Sequence, residues 1–254
     1  MSLIYGRVGA VRGLDLNAGV SLINRDFGGI QATGLYSQVG GDFKGVGLTG
    51  LVNNIHGDVT GVQISGLVNF DRGHMTGAQF APLFNFVEGG LSGVQFTSVY
   101  NSNRGKGGFL QVAAMANANE GDFGGAQIGG FNFTSSRLTG VQLGLANTAV
   151  DLKGAQLGLL NLVGEAHGLQ LGILNLSRHN YGVPIGLINV DTEIGQQDWV
   201  VFGSNLASIG TGVRTQVNHW YSVLWAGYGD SQGDISEAGF LGWNYGYSFN
   251  LGKH

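Results

Sequence analysis

Through most of the chain, uncharged stretches in which apolar residues flank one Gln and close on one Asn alternate with short polar connectors. The fullest stretch reads Gly61-Val62-Gln63-Ile64-Ser65-Gly66-Leu67-Val68-Asn69. The closing Asn returns at Asn53, Asn69, Asn85, Asn101, Asn117, Asn132, Asn147, Asn161, Asn175 and Asn189, with spacings of 16, 16, 16, 16, 15, 15, 14, 14 and 14 residues. The Gln keeps step at Gln63, Gln79, Gln95, Gln111, Gln127, Gln142, Gln156 and Gln170. A short, sustained period means one small unit stacked on copies of itself.

Two all-β architectures suit such a unit. One is a β-solenoid, each coil holding two short strands and two corners; the alternative is an up-and-down β-meander or outer-membrane β-barrel, each unit one strand. The shrinking period favours the solenoid. Removing one residue inside a strand would turn every later side chain to the opposite face, whereas a corner absorbs the loss. The position concerned holds Gly66, Pro82, Ser98, Ala114 and Gly130, and Pro82 would break a ladder in a central strand. Stacked coils would place Gln on Gln and Asn on Asn as structural side-chain amide ladders. The flanking columns, such as Val62, Ala78 and Val94 or Ile64, Phe80 and Phe96, are expected to fill a thin core. Gly41, Gly57, Gly73, Gly89, Gly105 and Gly121 recur in the connectors, where turns with φ > 0 are expected.

The repeat region spans residues 1–190, about 12 units, and a different pattern fills 191–254. Trp220, Trp225 and Trp243 lie in the latter, in partly alternating stretches separated by Gly229-Asp230-Ser231-Gln232-Gly233-Asp234. This predicts an antiparallel, aromatic-rich β region, either capping the last coil or marking a membrane interface.

The repeat Gly168-Leu169-Gln170-Leu171-Gly172-Ile173-Leu174-Asn175, then Gly182-Val183-Pro184-Ile185-Gly186-Leu187-Ile188-Asn189, is followed by Gly212-Val213-Arg214-Thr215 and Tyr221-Ser222-Val223-Leu224. This order of segments resembles the surface-repeat proteins of bacteria with outer membranes, over nearly the whole chain. The resemblance implies GLQLGLVN-type units leading into an outer-membrane-like β region, at the bacterial outer membrane or cell surface, with no established function. The chain departs from that pattern in a short C-terminal β region and in Met1-Ser2-Leu3-Ile4-Tyr5-Gly6-Arg7, which lacks a signal-peptide core.

Composition narrows the chemistry. Gly at 48 of 254 residues with only 2 Pro excludes collagen and Pro-rich disorder, so the glycines serve turns and close contacts. The eleven stretches that start at Gly29, Gly45, Gly61, Gly77, Gly93, Phe109, Gly125, Gly140, Gly154, Gly168 and Gly182, each read to its Asn position, contain no Asp, Glu, Lys or Arg; every charge falls in connectors or end segments. A net charge of −4 without a basic cluster speaks against nucleic acid, and zero Cys removes disulfides and thiolate chemistry. No apolar run is long enough for a transmembrane helix. His56, His74, His167, His179, His219 and His254 show no metal-ligand spacing, the Gly-rich Gly40-Gly41-Asp42-Phe43-Lys44-Gly45 lacks the features of a phosphate loop, and no catalytic or cofactor-binding set stands out. The leading expectation is a non-enzymatic envelope or surface structural protein, with membrane or envelope association and self-association through coil ends as its partner modes. An outer-membrane barrel or channel is the first alternative. An ice- or glycan-binding solenoid is the second, suggested by the broken hydroxyl column Thr60, Thr76, Ser92 and Thr139.

Overall fold

A computed structural model describes residues 4–203, 209–230 and 237–249. Met1-Ser2-Leu3, Ser231 to Asp234 of the C-terminal connector, Asn250-Leu251 and His254 therefore lie outside the described residues. Among the described residues the chain is all-β: a parallel β-solenoid of about 12 coils and a separate antiparallel sheet of 4 strands. The meander or barrel alternative is thus overturned, because the repeat strands pair in parallel with the next coil instead of antiparallel with the next unit. Two compact units divide the chain, Met1–Val150 and Asp151–His254.

In the first unit one coil consists of the strand Val59–Ser65, the bend Gly66-Leu67, the strand Val68–Asp71 and the bend Arg72-Gly73. Long strands pair with long strands and short with short, in strict phase: Gly61 opposite Gly77, Gln63 opposite Gln79, Asn69 opposite Asn85. Pro82 lies in the bend after Phe80, outside the ladder, so its missing N–H costs no strand pairing. Inside the long strand runs a glycine column with positive φ, such as +139° at Gly61 and +133° at Gly77. A Cβ on Gly77 would sit 1.9 Å from the Gly61 carbonyl oxygen, so the column demands glycine for space as well as conformation.

The connector glycines obey a different rule from the one expected. Gly57, Gly73 and Gly89 are not among the positive-φ residues; a Cβ on Gly73 would lie 2.3 Å from the Gly57 carbonyl oxygen. Close stacking of successive bends, not turn conformation, requires glycine there.

The interior also differs from expectation. Strand alternation turns Gln63 and Ser65 inward, which forces Val62 and Ile64 outward. Ile64, Phe80 and Phe96 are accordingly 42%, 37% and 36% exposed, while the Gln and Asn columns are buried. Apolar filling comes from two other columns: Phe27, Phe43, Val59, Met75 and Leu91 on the long strands, Ile23, Val39, Ile55 and Val87 on the short ones. The Phe27 and Phe43 rings stack at 5.0 Å. The amide ladders were expected, but with the Gln column inside, alternation along the strand leaves no room there for the residues on either side of it; amides bonded on both sides can be buried.

In the second unit the strands Leu160–Ala166, Leu169–Asn180 and Val183–Asp191 stack in parallel on one another, with Asn161, Asn175 and Asn189 in register. The period is 14 residues here, and the bend Gly158-Leu159 is one place where a residue has been lost. Four antiparallel strands follow: Gln196–Phe202, Ile209–Val217, Trp220–Asp230 and Glu237–Tyr247. Thr215, Ser222 and Tyr245 are directly opposite one another across three of them, so they share one face. Their neighbours Arg214, Val223 and Asn244 form the adjacent row on the other face.

Candidate functional site

The two amide columns are hydrogen-bonded throughout their continuous stretches, and they run in opposite senses. From Asn53 through Asn69, Asn85, Asn101, Asn117 and Asn132 to Asn147, each Nδ2 donates to the Oδ1 of the next coil at 2.9 to 3.0 Å. The other amide proton goes to a backbone carbonyl of the next coil: Asn69 to Phe80, Asn85 to Phe96, Asn101 to Val112. Asn69, Asn85, Asn101, Asn117 and Asn132 thereby use both protons and at least one lone pair while buried. The Gln column donates backward, from Gln79 to Gln63 and on up through Gln95, Gln111, Gln127 and Gln142, at 2.8 to 3.0 Å. In the second unit Asn161 donates to Asn175 and Asn175 to Asn189, while Gln170 donates back to Gln156.

Interruptions expose the chemistry that keeps the columns satisfied. Gly47 occupies a Gln position, and the Phe43 ring lies where its side chain would stand, 3.0 Å from a Cβ placed there. Gln63 therefore has no amide beneath it and donates to Asp71 Oδ1 at 3.0 Å; Gln79 donates to Asp71 Oδ2 at 2.7 Å as well as to Gln63. Asp71 is buried, and burial pushes its carboxyl up to about 7 against the opposing pull of those two amide bonds. Toward the first coil the Gln position passes to Asp15, which accepts from Asn17, Ser21 and Gln31. The Asn position passes to Ser21 and Ser37, and Ser37 donates to Gln31 Oε1 at 2.7 Å.

At the last coil both columns end on other groups. Pro184 stands opposite Gln170, and the Asn180 side chain takes over by donating to Gln170 Oε1 at 2.9 Å. Asn189 accepts from Asn175 and donates to Ser222 Oγ at 3.3 Å and to the Gly186 carbonyl at 3.1 Å. Thr215 Oγ1 accepts from the Asn189 backbone N–H and lies 2.8 Å from Ser222 Oγ. Tyr245 donates its hydroxyl to the Pro184 carbonyl, and burial pushes its ionisation up to about 12, so it remains a donor.

The remaining candidates are dispersed. Among the described residues no three His, Asp or Glu side chains converge into a metal-holding group. His179 Nε2 lies 2.8 Å from a Glu193 carboxylate oxygen, and both His167 and His179 stack on Tyr181. His74 Nε2 contacts Ser92 Oγ at 3.0 Å. Asp122, on the surface, is held below the usual carboxylate range by the Ser136 hydroxyl and the Arg137 backbone N–H. The hydroxyl column does align, Thr60 beside Thr76 beside Ser92, but Gly108 comes next.

Sequence reasoning missed Asp71, Asp15, Asn180, Thr215 and Ser222 as members of the amide network. Gly47 and Pro184 were visible as gaps in the Gln phase, and each gap calls for a substitute partner. Comparisons with protein-family models, with curated proteins and with solved structures each found no match.

Proposed function

We propose that this is a non-enzymatic structural or interaction protein of a bacterial envelope or cell surface, acting through its regular outer faces. The observation that carries this reading is the outward apolar column Leu48, Ile64, Phe80 and Phe96, one residue per coil in unbroken register. Beside it runs a second exposed column, Leu51, Leu67 and Leu83, on the bends of the same coils. No charged residue interrupts the units that carry either column, and the Phe80 and Phe96 rings stack at 5.5 Å with planes within 3°. Charge gathers instead at the opposite bends, where Arg104 bridges Glu88 and Glu120 at 3.0 and 3.6 Å. A continuous apolar strip rimmed by polar residues is the signature of a surface that meets another apolar surface. The interior, filled by bonded amides and packed apolar side chains, is scaffold.

Flotation of the purified chain with vesicles made from bacterial outer-membrane lipid tests this. The reading expects the wild type to float with the vesicles and a Phe80→Ser/Phe96→Ser variant, folded by circular dichroism, to remain at the bottom. Equal behaviour of the two proteins would count against the apolar strip as the contacting surface.

A further inference from the structure

The C-terminal sheet carries a groove on the face turned away from Thr215, Ser222 and Tyr245. Because alternate residues of a strand point to opposite faces, the row Arg214, Val223 and Asn244 looks into this groove together with Tyr221 and Trp225. Its volume is about 660 Å³, within the range of small-ligand sites. Glycines shape its floor. A Cβ on Gly242 would fall 2.2 Å from the Trp225 indole, and one on Gly246 would fall 2.4 Å from the Tyr221 ring. Both rings therefore lie down across the neighbouring strand, which leaves their outer faces toward the groove. Phe202 meets Trp225 edge-on, with planes at 87° and centroids 5.2 Å apart, and forms a side wall.

Arg214 supplies charge to this aromatic floor. Its guanidinium lies 5.1 Å from the Tyr221 ring centroid and donates to Gln216 Oε1. Its Nε is buried without a hydrogen-bond partner. Asp198 stands opposite Arg214 in the ladder and is exposed. An unpaired guanidinium N–H withdrawn from water is costly unless an acceptor reaches it, and a carboxylate matches guanidinium geometry best.

We propose that this groove binds an acidic sugar, a pyranose bearing a carboxylate. The apolar C–H face of the ring would lie on Trp225, the carboxylate would meet Arg214, and the hydroxyls would reach the Asn244 side chain and the Tyr221 hydroxyl. The open form of the groove, on a sheet face, favours a flat amphipathic ring over an acyl chain, which needs enclosure. The inference goes beyond the envelope reading and stands independently of it, since the apolar strip and the groove share no residue.

Calorimetric titration of the whole purified chain with digalacturonate tests the proposal, with cellobiose as the neutral disaccharide and benzoate as a carboxylate on a non-sugar ring. Expected are saturable one-to-one binding of digalacturonate, no saturable binding of cellobiose, and weaker binding of benzoate. Arg214→Gln should weaken digalacturonate binding roughly 10- to 100-fold, as loss of a charge-assisted contact does. Trp225→Phe keeps a ring over Gly242 and should weaken it less than Trp225→Ala. Circular dichroism of each variant confirms folding, and should Trp225→Ala fail to fold, the Arg214→Gln and Trp225→Phe titrations decide. Absence of saturable digalacturonate binding, wild-type affinity in Arg214→Gln, or benzoate binding as tight as that of the sugar would each overturn it.

Discussion

Asn189 donates its side-chain amide to Ser222 Oγ at 3.3 Å, and with that bond the Asn column passes from the last solenoid coil to the antiparallel sheet. The same row of the sheet meets the Asn189 backbone through Thr215 and the Pro184 carbonyl through Tyr245. The last coil thus has its polar edge answered by hydroxyls instead of by another coil. A bare parallel edge would invite a second chain to pair with it.

Ser222→Ala removes one hydroxyl from that junction and leaves part of the buried Asn189 amide short of an acceptor. The expected cost is about 1–3 kcal/mol, measured as a lowered denaturant midpoint, with Ser222→Thr recovering much of it. An unchanged midpoint in Ser222→Ala would show that the junction does not depend on this bond.

Asp71 gives the fold a pH dependence of a definite sign. Its carboxyl lies near 3.8 when unfolded and about 7 in the folded chain, so its contribution to stability is fully present below pH 3.8 and is lost as pH rises to about 7. At about 1.4 kcal/mol per pKa unit the difference is of order 4 kcal/mol. Asp71→Asn should flatten the stability profile between pH 4 and 7 relative to wild type, measured by urea unfolding at a series of pH values. If both proteins trace parallel profiles across that window, the carboxyl titrates as an ordinary surface group.

Phe109 occupies the glycine column, with φ of 94° and its side chain 69% exposed. A bulky residue in that region of φ is strained by about 1–3 kcal/mol, and its exposed ring recovers little of this. Phe109→Gly is expected to raise the melting temperature, whereas Gly77→Ala, whose Cβ would meet the Gly61 carbonyl oxygen at 1.9 Å, should lower it sharply. Gly124→Ala is the control, because nothing lies within 4 Å of its added Cβ. A ranking in which Gly77→Ala is as benign as Gly124→Ala would contradict the close stacking of the column.

How much of this was legible in the sequence follows from what repeats. The spacing of Asn and Gln, Pro82 at a tolerant position and the loss of single residues at bends together specify a parallel stack, because phase is a property of the chain alone. The direction of each side chain is different. With Gln63 and Ile64 adjacent, either could have faced inward, and only the mutual bonding of Gln63, Gln79 and Asp71 across coils decides that the amide goes inside and the Ile outside. Asp71 read as one more connector charge, since nothing local distinguishes it from the exposed Arg72 beside it. The groove over Gly242 and Gly246 was likewise invisible, because those glycines answer to rings on a neighbouring strand.

The central claim is that one coil, held to its neighbours by in-phase pairing and the two amide columns, is the interchangeable element of this fold. Deleting residues Gly77 to Ser92 removes one whole 16-residue period and joins Thr76 to Gly93, which restores every column in phase. Unfolding of this variant should remain cooperative with an undiminished β signal per residue, because each coil touches mainly its neighbours. Deleting only Gly77 to Phe84, half a period, should abolish folding. Loss of cooperative unfolding on removing the whole coil, or its survival on removing half of one, would contradict the account.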